Sequence, residues 1–578
     1  MDRTAWIAIT LCVLGLIAWE IWIARQPQPP PAVATAPSPP VPTLSGTPFA
    51  SAPAAVASPA PQPGTVATAA PTATPTQFEE KTETVRNSDV ELHLTNRGGG
   101  VSEAILLNYP AEVGESERVT LNSPARIPIG AMVDDPAAPV LPEYKITREA
   151  DTVALEYITP EQVTIRKKFF FPATNEKKDN FVVKLDVDFA NNGVVPYANP
   201  GYFLGIGSAA RIHRNDYPSY TRLVWSVGGG TKGIDVGWFG GGGGFFGMGQ
   251  HPPRPYYTQN INAAEWVAAS NQFFTSLVVP LTGKADAVWG TRFEIDPAQK
   301  AYGLEGAMHL PGFRVEAGQT YSAHFQLYLG PKLYHRLARL EHNEAEVMEF
   351  GIFKIICQAL LNVLNTLHSF LGNYAAAILA LTTIVKLSLW PLQTKATTSM
   401  RRMSALSPKI QELREKYKDD PTRMNQETMK LYKEYGINPV GGCLPMLIQI
   451  PIFFGLFTML RQAVELRGAS FLWIHDLSQP DTVGHLPVFG WPINILPLIM
   501  AATSFWMTHL TPKSGDPTQQ RMMMFMPIIF IVFCYNFAAA LALYYTVQNL
   551  FSILQLYQNR KQPMPTLEKV AVPKRKRR

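Results

Sequence analysis

The sequence carries little charge for its length. Only 17% of its 578 residues are Asp, Glu, Lys or Arg, while 46% are hydrophobic, and soluble domains typically reach about 25% charged residues. This deficit excludes a chain that is exposed to water throughout and indicates that part of it lies in lipid. The net charge of +6 is too small to indicate nucleic-acid binding by itself.

Cysteine is also scarce, and nucleotide-binding motifs are absent. The four cysteines (Cys12, Cys357, Cys443 and Cys534) stand far apart in apolar or amphipathic stretches, and no C-x-x-C pair occurs. A disulfide framework and a zinc site are therefore not expected. The chain also has no Walker-type phosphate loop. We expect neither a metal nor a cofactor, and we do not expect an enzyme.

The N-terminal region divides into an apolar run and an uncharged linker. Residues 5–24 are long and apolar enough for one helix to cross a bilayer. A cleavable signal peptide is the alternative, but no small-x-small cleavage site precedes Arg25. We therefore predict a transmembrane anchor over residues 1–25. Residues 26–77 contain no charged residue and are rich in Pro and Ala, which predicts a disordered linker.

Residues 78–340 alternate between apolar and polar side chains in short runs such as VELHLTN, TVALEYIT and NFVVKLDVDFA. Turn sequences such as NRGGG and ANNG separate these runs. A period of two predicts strands with one buried face. The segment is therefore predicted to be an all-β sandwich.

From about residue 345 the apolar pattern becomes helical. Residues 345–371 place apolar side chains on one face and polar ones on the other, which predicts an amphipathic helix lying along a membrane surface. Five apolar stretches follow, near residues 373–393, 440–460, 491–508, 523–536 and 537–557. Together with the N-terminal run they predict a multi-pass α-helical membrane protein with six transmembrane helices. Five of these helices form a core over residues 372–558.

The distribution of basic residues predicts the orientation. Residues 395–434 contain ten Lys and Arg against six Asp and Glu, and the tail over 559–578 contains eight basic residues against Glu568. Residues 461–481 contain two basic and three acidic residues. The positive-inside rule therefore places a helical hairpin at 395–438 and the basic tail in the cytoplasm. Both termini are then cytoplasmic, and the β domain is periplasmic.

Four segments of the C-terminal region form a specific pattern: SMRRMSALSPKIQELREKYKDDPTRMNQETMKLYKEYGINPVGGCLPMLIQIPIF, VELRGASFLWIHDLS, DPTQQRMMMFMPIIF and ALYYTVQNLFSILQ. They closely resemble the YidC/Oxa/Alb family of membrane insertases, almost continuously over residues 350–560. Upstream, NRGGGVSEAILLNYP and EWVAASNQFFTSLVVP resemble the Gram-negative members, which have a large periplasmic domain.

The resemblance implies an inner-membrane insertase and chaperone whose partners are nascent membrane proteins and the lipid bilayer. It also implies that the chain works alone or with the Sec translocon, without nucleotide hydrolysis. In the family, the cytoplasmic hairpin engages the incoming chain or its targeting machinery, so the ribosome and the signal-recognition-particle receptor are further candidate partners. The hairpin cations concerned are Arg401, Arg402, Lys409 and Arg414. For the basic tail three roles are open: binding ribosomal RNA, binding anionic lipid, or only fixing the orientation of the chain in the membrane.

Lys386 is the one ionised residue between His368 and Lys395, inside a stretch otherwise suited to cross the bilayer. An isolated charge at a helix centre costs about 2.5–3.5 kcal/mol on insertion scales. Snorkelling toward the cytoplasmic surface is one way to reduce this cost. In the insertase family a cation, usually Arg, stands at the matching position, in a groove open to the cytoplasm and to lipid. The resemblance therefore implies that Lys386 is the charge of such a groove.

Polar residues on three predicted helices favour the groove. They are Thr382 and Gln393, which share a helix face with Lys386, then Gln449, and finally Tyr545, Asn549 and Ser552 at spacings of four and seven. Polar faces of membrane helices normally turn inward, toward each other or toward water. Ordinary hydrogen bonding between helices is the alternative for each residue taken alone.

Two other functions would require different sequence features. A transporter or channel predicts inverted repeats and several intramembrane charges, whereas the sequence has one such charge and no evident repeat. A carbohydrate enzyme in the β domain would rest on fold analogy alone. The histidines of that domain form no spacing motif with carboxylates: His93, His213, His251, His309, His324 and His335.

Overall fold

The structure is a computed structural model that describes residues 78–149, 152–172, 179–214, 216–241, 251–437, 444–487, 490–511 and 517–561. The anchor predicted at 1–25, the linker predicted at 26–77 and nearly all of the basic tail predicted at 559–578 lie outside these residues and stay predictions.

The N-terminal part of the described chain is built from strands. They are β1 (Thr82–Arg86), β2 (Val90–Thr95), β3 (Gly100–Pro110), β4 (Arg118–Leu121), β5 (Met132–Val133), β6 (Lys145–Glu149), β7 (Thr152–Ile158), β8 (Val163–Phe170), β9 (Val182–Asn191), β10 (Tyr197–Ala209), β11 (Arg222–Val227), β12 (Gly230–Asp235), β13 (Tyr256–Ala264), β14 (Trp266–Ser270), β15 (Phe274–Pro280), β16 (Ala285–Asp296), β17 (Ala301–Val315) and β18 (Thr320–Pro331).

These strands form three antiparallel sheets. The largest has nine strands in the order β12-β11-β14-β15-β18-β9-β8-β7-β6, a second has the order β13-β16-β17-β10-β5, and β1 to β4 form a third. Buried and partly exposed residues alternate strictly along β8, as the pleat requires. The two larger sheets share one apolar core. Ser276 of β15 also donates a hydrogen bond of 2.5 Å to the carbonyl of Ile206 on β10.

A fully buried lysine fastens two glycine turns inside this β domain. Lys167 on β8 donates to the carbonyl oxygens of Gly98 (2.8 Å), Gly99 (2.9 Å) and Gly130 (2.9 Å). All three glycines have positive φ, at 70°, 60° and 83°, a region that non-glycine residues rarely adopt. The ring of Tyr144 lies 4.7 Å from the ammonium. The three protons of the ammonium thus have three acceptors, which makes Lys167 part of the domain's own architecture.

The C-terminal part of the described chain is helical. Its helices are α1 (Tyr334–Leu337), α2 (Lys354–Leu371), α3 (Tyr374–Ala405), α4 (Ser407–Lys416), α5 (Pro421–Glu434), α6 (Leu444–Gln462), α7 (Ile495–Leu510), α8 (Pro517–Cys534) and α9 (Ala539–Arg560), with a short hairpin of β19 (Thr482–His485) and β20 (Pro492–Asn494) between α6 and α7.

Local capping explains the sharp turn between α2 and α3. Gly372 ends α2 in a left-handed conformation with φ of 65°, and the side chain of Asn373 accepts a 3.0 Å hydrogen bond from the Ala376 amide at the start of α3. On α2 the apolar side chains of Ile355 and Phe370 are 81% and 83% exposed. Exposed apolar surface of this kind suits a helix that lies against lipid.

Some predicted boundaries differ from the structure. The predicted start of the cytoplasmic hairpin, residue 395, falls inside α3, which continues without a break to Ala405. The hairpin itself consists of α4 and α5, which pack around Leu406, Ile410 and Tyr435. Charged residues do not by themselves end a helix, so the change in composition at Lys395 was not a structural boundary.

Among the described residues, one helix, α3, combines the length and the apolar window needed to cross a membrane, and α7 is a shorter apolar helix. The predicted number of six transmembrane helices therefore stays a prediction.

Candidate functional site

The candidate site lies where α3 packs against α9. Helix α3 is apolar around Lys386, and Thr382, one turn earlier on the same face, is fully buried, so this face lies against the bundle. Helix α9 is buried along most of its length. The two helices run parallel, since successive residues of α3 contact successive residues of α9.

Lys386 is 4% exposed and points at α9. Its ammonium donates a 2.9 Å hydrogen bond to the hydroxyl oxygen of Ser552, which in turn donates to the carbonyl of Gln548 at 2.9 Å. Among the residues that the structure describes, no carboxylate forms an ion pair with Lys386. A buried cation thus has one neutral partner, although an ammonium offers three protons.

Three further hydrogen bonds continue the polar line toward the end of α9. The Gln555 amide donates to the Trp390 carbonyl at 3.2 Å and to the Thr394 hydroxyl at 3.0 Å. One turn later, the Arg401 guanidinium donates to the Asn559 carbonyl at 2.7 Å. We call this line of contacts, from Lys386–Ser552 to Arg401–Asn559, the α3–α9 seam.

A proline lies within the seam. Pro391 has no amide proton to give to the carbonyl of Leu387, so one backbone oxygen next to Lys386 lacks its helical donor. Membrane helices tolerate such breaks where neighbouring groups or water supply the missing donor. The helix is therefore more polar beside Lys386 than its side chains alone indicate.

Three residues predicted on one polar face of α9 have three different neighbours. Ser552 binds Lys386 on α3. Asn549 instead donates to the hydroxyl groups of Thr503 (3.1 Å) and Ser504 (2.8 Å) on α7. Tyr545 packs edge-on against Phe453 of α6 and Phe530 of α8, at centroid distances of 5.3 and 5.2 Å. Residues four and seven apart on a helix differ by up to about 60° in direction, so these three side chains contact different helices. Their common role in a groove stays a prediction.

The other predicted groove residues divide in the same way. Gln449 donates a long bond of 3.4 Å to the Gln548 side chain, so it lies near the start of the seam. The Thr382 hydroxyl is buried and donates to the Ile378 carbonyl of its own helix at 2.7 Å. Gln393 is half-buried and makes no side-chain hydrogen bond to any described residue.

The predicted hairpin cations are not equivalent. Arg401 is held by α9, and the Lys409 ammonium donates to the Tyr435 hydroxyl within the hairpin and lies 4.6 Å from its ring centroid. Arg414 is half-buried, whereas Arg402 is exposed. The first two therefore stabilise the hairpin and its attachment, and Arg402 is the cation of this set that is most open to a partner.

Sequence reasoning missed the stripe of α9 residues that follows the seam. Gln548, Ser552, Gln555 and Asn559 follow one another at spacings of four, three and four residues, a single stripe along α9, and all but Ser552 are buried. This stripe was readable from the sequence. A second polar stripe, Tyr545, Asn549 and Ser552, shares Ser552 with it. The sequence does not show which of the two stripes faces α3.

Comparison with known families accounts for most of the described chain. The model for the YidC periplasmic domain matches residues 82–363, and the model for the 60Kd inner membrane protein matches residues 366–565. The chain belongs to the YidC family. The family match also confirms the expected combination of a β-rich periplasmic domain with a membrane insertase region.

Curated members of the YidC family align with the chain at about 40% identity. Proteins named membrane protein insertase YidC are 41% identical over 297 residues in Syntrophobacter fumaroxidans, covering 50% of this chain and 53% of that one, and 44% identical over 250 residues in Syntrophus aciditrophicus, covering 43% and 44%. The chain thus spans about half the length of the curated relatives that it matches.

A crystal structure of an active YidC insertase with its first transmembrane domain resolved is also similar. It is 19% identical, covers 84% of this chain and 94% of its own, and superposes with a TM-score of 0.34.

Proposed function

We propose that this YidC-family chain is a membrane protein insertase and chaperone of the bacterial inner membrane. It moves hydrophilic tails of nascent membrane proteins through a hydrated cationic groove and releases their apolar segments into lipid. The observation that carries the proposal is Lys386, a buried ammonium with one neutral hydrogen-bond partner among the described residues. Such a group has unused donors and an uncompensated charge, which an acidic residue of a passing tail can satisfy.

The groove starts at Lys386 and follows the α3–α9 seam toward the cytoplasm. The amides and hydroxyls of the seam replace water around a polar tail, and each offers a neutral hydrogen bond of roughly 1 kcal/mol. Weak neutral partners let the tail move on, whereas a fixed carboxylate beside Lys386 would neutralise the ammonium and compete with the substrate.

Release into lipid supplies the driving force. Apolar burial is worth about 25 cal/mol for each Å² removed from water, and the membrane potential adds about 2.3 kcal/mol for each charge moved across 100 mV. The aromatic cluster of Phe453, Phe530 and Tyr545 offers an apolar surface beside the start of the seam. An apolar segment therefore leaves along this surface, and the cycle requires no nucleotide hydrolysis.

The proposed topology has six crossings: the anchor at 1–25 and five core helices, α3, α6, α7, α8 and α9. Both termini lie in the cytoplasm and the β domain lies in the periplasm. Helix α2 lies on the periplasmic surface of the inner membrane. The parallel course of α3 and α9 supports this arrangement, because two helices that both run from the periplasm to the cytoplasm must be parallel.

The cytoplasmic partners are proposed for α4, α5 and the basic tail. Exposed Arg402, together with the excess of Lys and Arg in this segment, suits ribosomal or signal-recognition-particle-receptor surfaces that carry negative charge. The Sec translocon is proposed as a second partner for substrates with large domains.

Complementation tests the role of Lys386. Cells depleted of their own insertase would express Lys386→Ala, Lys386→Arg or the matched control Lys395→Ala, which removes an exposed lysine from the same helix. Insertion is measured by protease accessibility of a substrate with a short acidic tail. We expect Lys386→Ala to slow insertion at least tenfold, which corresponds to about 1.4 kcal/mol, while Lys386→Arg and Lys395→Ala support growth. Normal insertion by Lys386→Ala at equal protein level would refute the groove mechanism.

A further inference from the structure

A cavity of about 90 Å³ lies at the junction between the β domain and α6. The β domain contributes Tyr220, Arg222 and Lys332 to its lining, and Gln462 comes from the last turn of α6. Glu349, which precedes α2, completes the polar lining. The space is large enough for several water molecules or for a small polar group.

Hydrogen-bond donors converge on this cavity without partners. Lys332 is 2% exposed, and its ammonium forms no hydrogen bond or ion pair with any described residue. The same holds for the Tyr220 hydroxyl and for the side-chain amide of Gln462, which is 3% exposed. The Arg222 Nε is also buried and unpartnered. Buried polar groups are nearly always satisfied, so these donors need acceptors inside the cavity, which water or a bound anion supplies.

The charges of the lining add up to an excess of one cation. Arg222 is 3.2 Å from Glu349 and forms an ion pair with it, which leaves Lys332 without a counter-charge. Burial lowers the pKa of Lys332 to about 7, with Glu349 raising it and Arg222 lowering it further. A buried ammonium in this situation either loses its proton or recruits an anion.

We propose that the cavity binds a phosphate group, either as a free anion or as the head group of a phospholipid. Phosphate oxygens accept several charge-assisted hydrogen bonds at once, from the ammonium of Lys332, the hydroxyl of Tyr220 and the amide of Gln462. Ile352 (54% exposed) and Ile355 (81% exposed) lie three and six residues after Glu349, so the chain next to the cavity carries exposed apolar side chains that suit contact with lipid. The site serves binding and is separate from the α3–α9 seam, so its loss and the loss of insertion are measured independently.

Phosphate-dependent thermal stabilisation tests the site. The full-length protein is purified in an uncharged detergent without phosphate, and its melting temperature is measured against increasing inorganic phosphate or water-soluble dihexanoyl phosphatidylglycerol, at constant ionic strength. Ligand that binds only the folded state raises this temperature with a saturable dependence. We expect saturation in the natural protein and in the control Lys145→Met, which changes an exposed lysine of the same domain.

Two variants identify the donors. Lys332→Met keeps the apolar stem and removes the charge, so we expect it to fold and to bind at least tenfold more weakly. Tyr220→Phe removes one hydroxyl and is expected to weaken binding several-fold. Saturation by the phospholipid alone identifies a head-group site, and saturation by both probes identifies a phosphate site. No saturable shift with either probe, or an undiminished shift in Lys332→Met, would overturn the proposal and leave a cavity that holds water.

Discussion

The β domain and the helical region each bury a lysine, and they treat it in opposite ways. In the β domain Lys167 is enclosed by three carbonyl oxygens at 2.8–2.9 Å. In the helical region Lys386 has one hydroxyl at 2.9 Å. A cation whose protons all have acceptors belongs to the fold, because removing it leaves those acceptors unpaired. A cation with unused donors costs stability where it stands, so its presence indicates a role outside the fold.

The same substitution at both lysines should give opposite results. Lys167→Met leaves three buried carbonyls without a donor, and we expect the full-length protein to lose about 3 kcal/mol of stability or more. Lys386→Met removes a poorly satisfied charge and is expected to leave stability unchanged or higher while insertion fails. Thermal unfolding and the insertion assay measure the two effects separately. A destabilised Lys386→Met protein would mean that this lysine is structural as well.

Lys332 sharpens the comparison, because it is buried at the edge of the β domain and its ammonium has no acceptor among the described residues, whereas Lys386 has one. Its folded pKa of about 7 lies below the ordinary value of 10.5, so between these values the unfolded chain binds more protons than the folded one. Stability should therefore rise as the pH increases from about 7 to 10.5 in phosphate-free buffer, by about 1.4 kcal/mol per pH unit at most. The measurement is the difference in the free energy of unfolding between the natural protein and Lys332→Met, followed as a function of pH. A difference that does not change with pH would contradict an unpaired ammonium.

The contrast between the regions also explains what the sequence could predict. Strands such as β8 were readable because the pleat alternates side chains between a buried and an exposed face. Their order was not, since β18 pairs with β9 and β15 through contacts more than forty residues apart along the chain. Lys386 stood out as a charge in an apolar stretch, and this needs no knowledge of neighbours. The sequence did not show that Ser552 contacts Lys386 while Asn549 contacts α7, because the neighbour of each α9 face depends on how the helices pack.

Asn549 provides a smaller test of that division along α9. Its amide holds α7 through Thr503 and Ser504 and takes no part in the α3–α9 seam. Interhelical hydrogen bonds in membranes average about 0.6 kcal/mol, so Asn549→Ala should lower stability by that amount and leave the rate of insertion nearly normal. Unfolding in detergent and the protease-accessibility assay provide the two readings. An insertion defect as large as that of Lys386→Ala would place Asn549 in the groove after all.

Ser552→Ala is expected to have the smallest effect and addresses the comparison most directly. If Lys386 is a structural cation like Lys167, removing its one hydroxyl partner leaves a buried charge unsatisfied and costs several kcal/mol. If the ammonium is solvated by a hydrated groove, water replaces the hydroxyl, and the change in stability stays within about 0.5 kcal/mol. Insertion should then fall less than twofold, since the charge that attracts the substrate is still present. Ser552→Thr, which keeps a hydroxyl, is the matched control in both measurements.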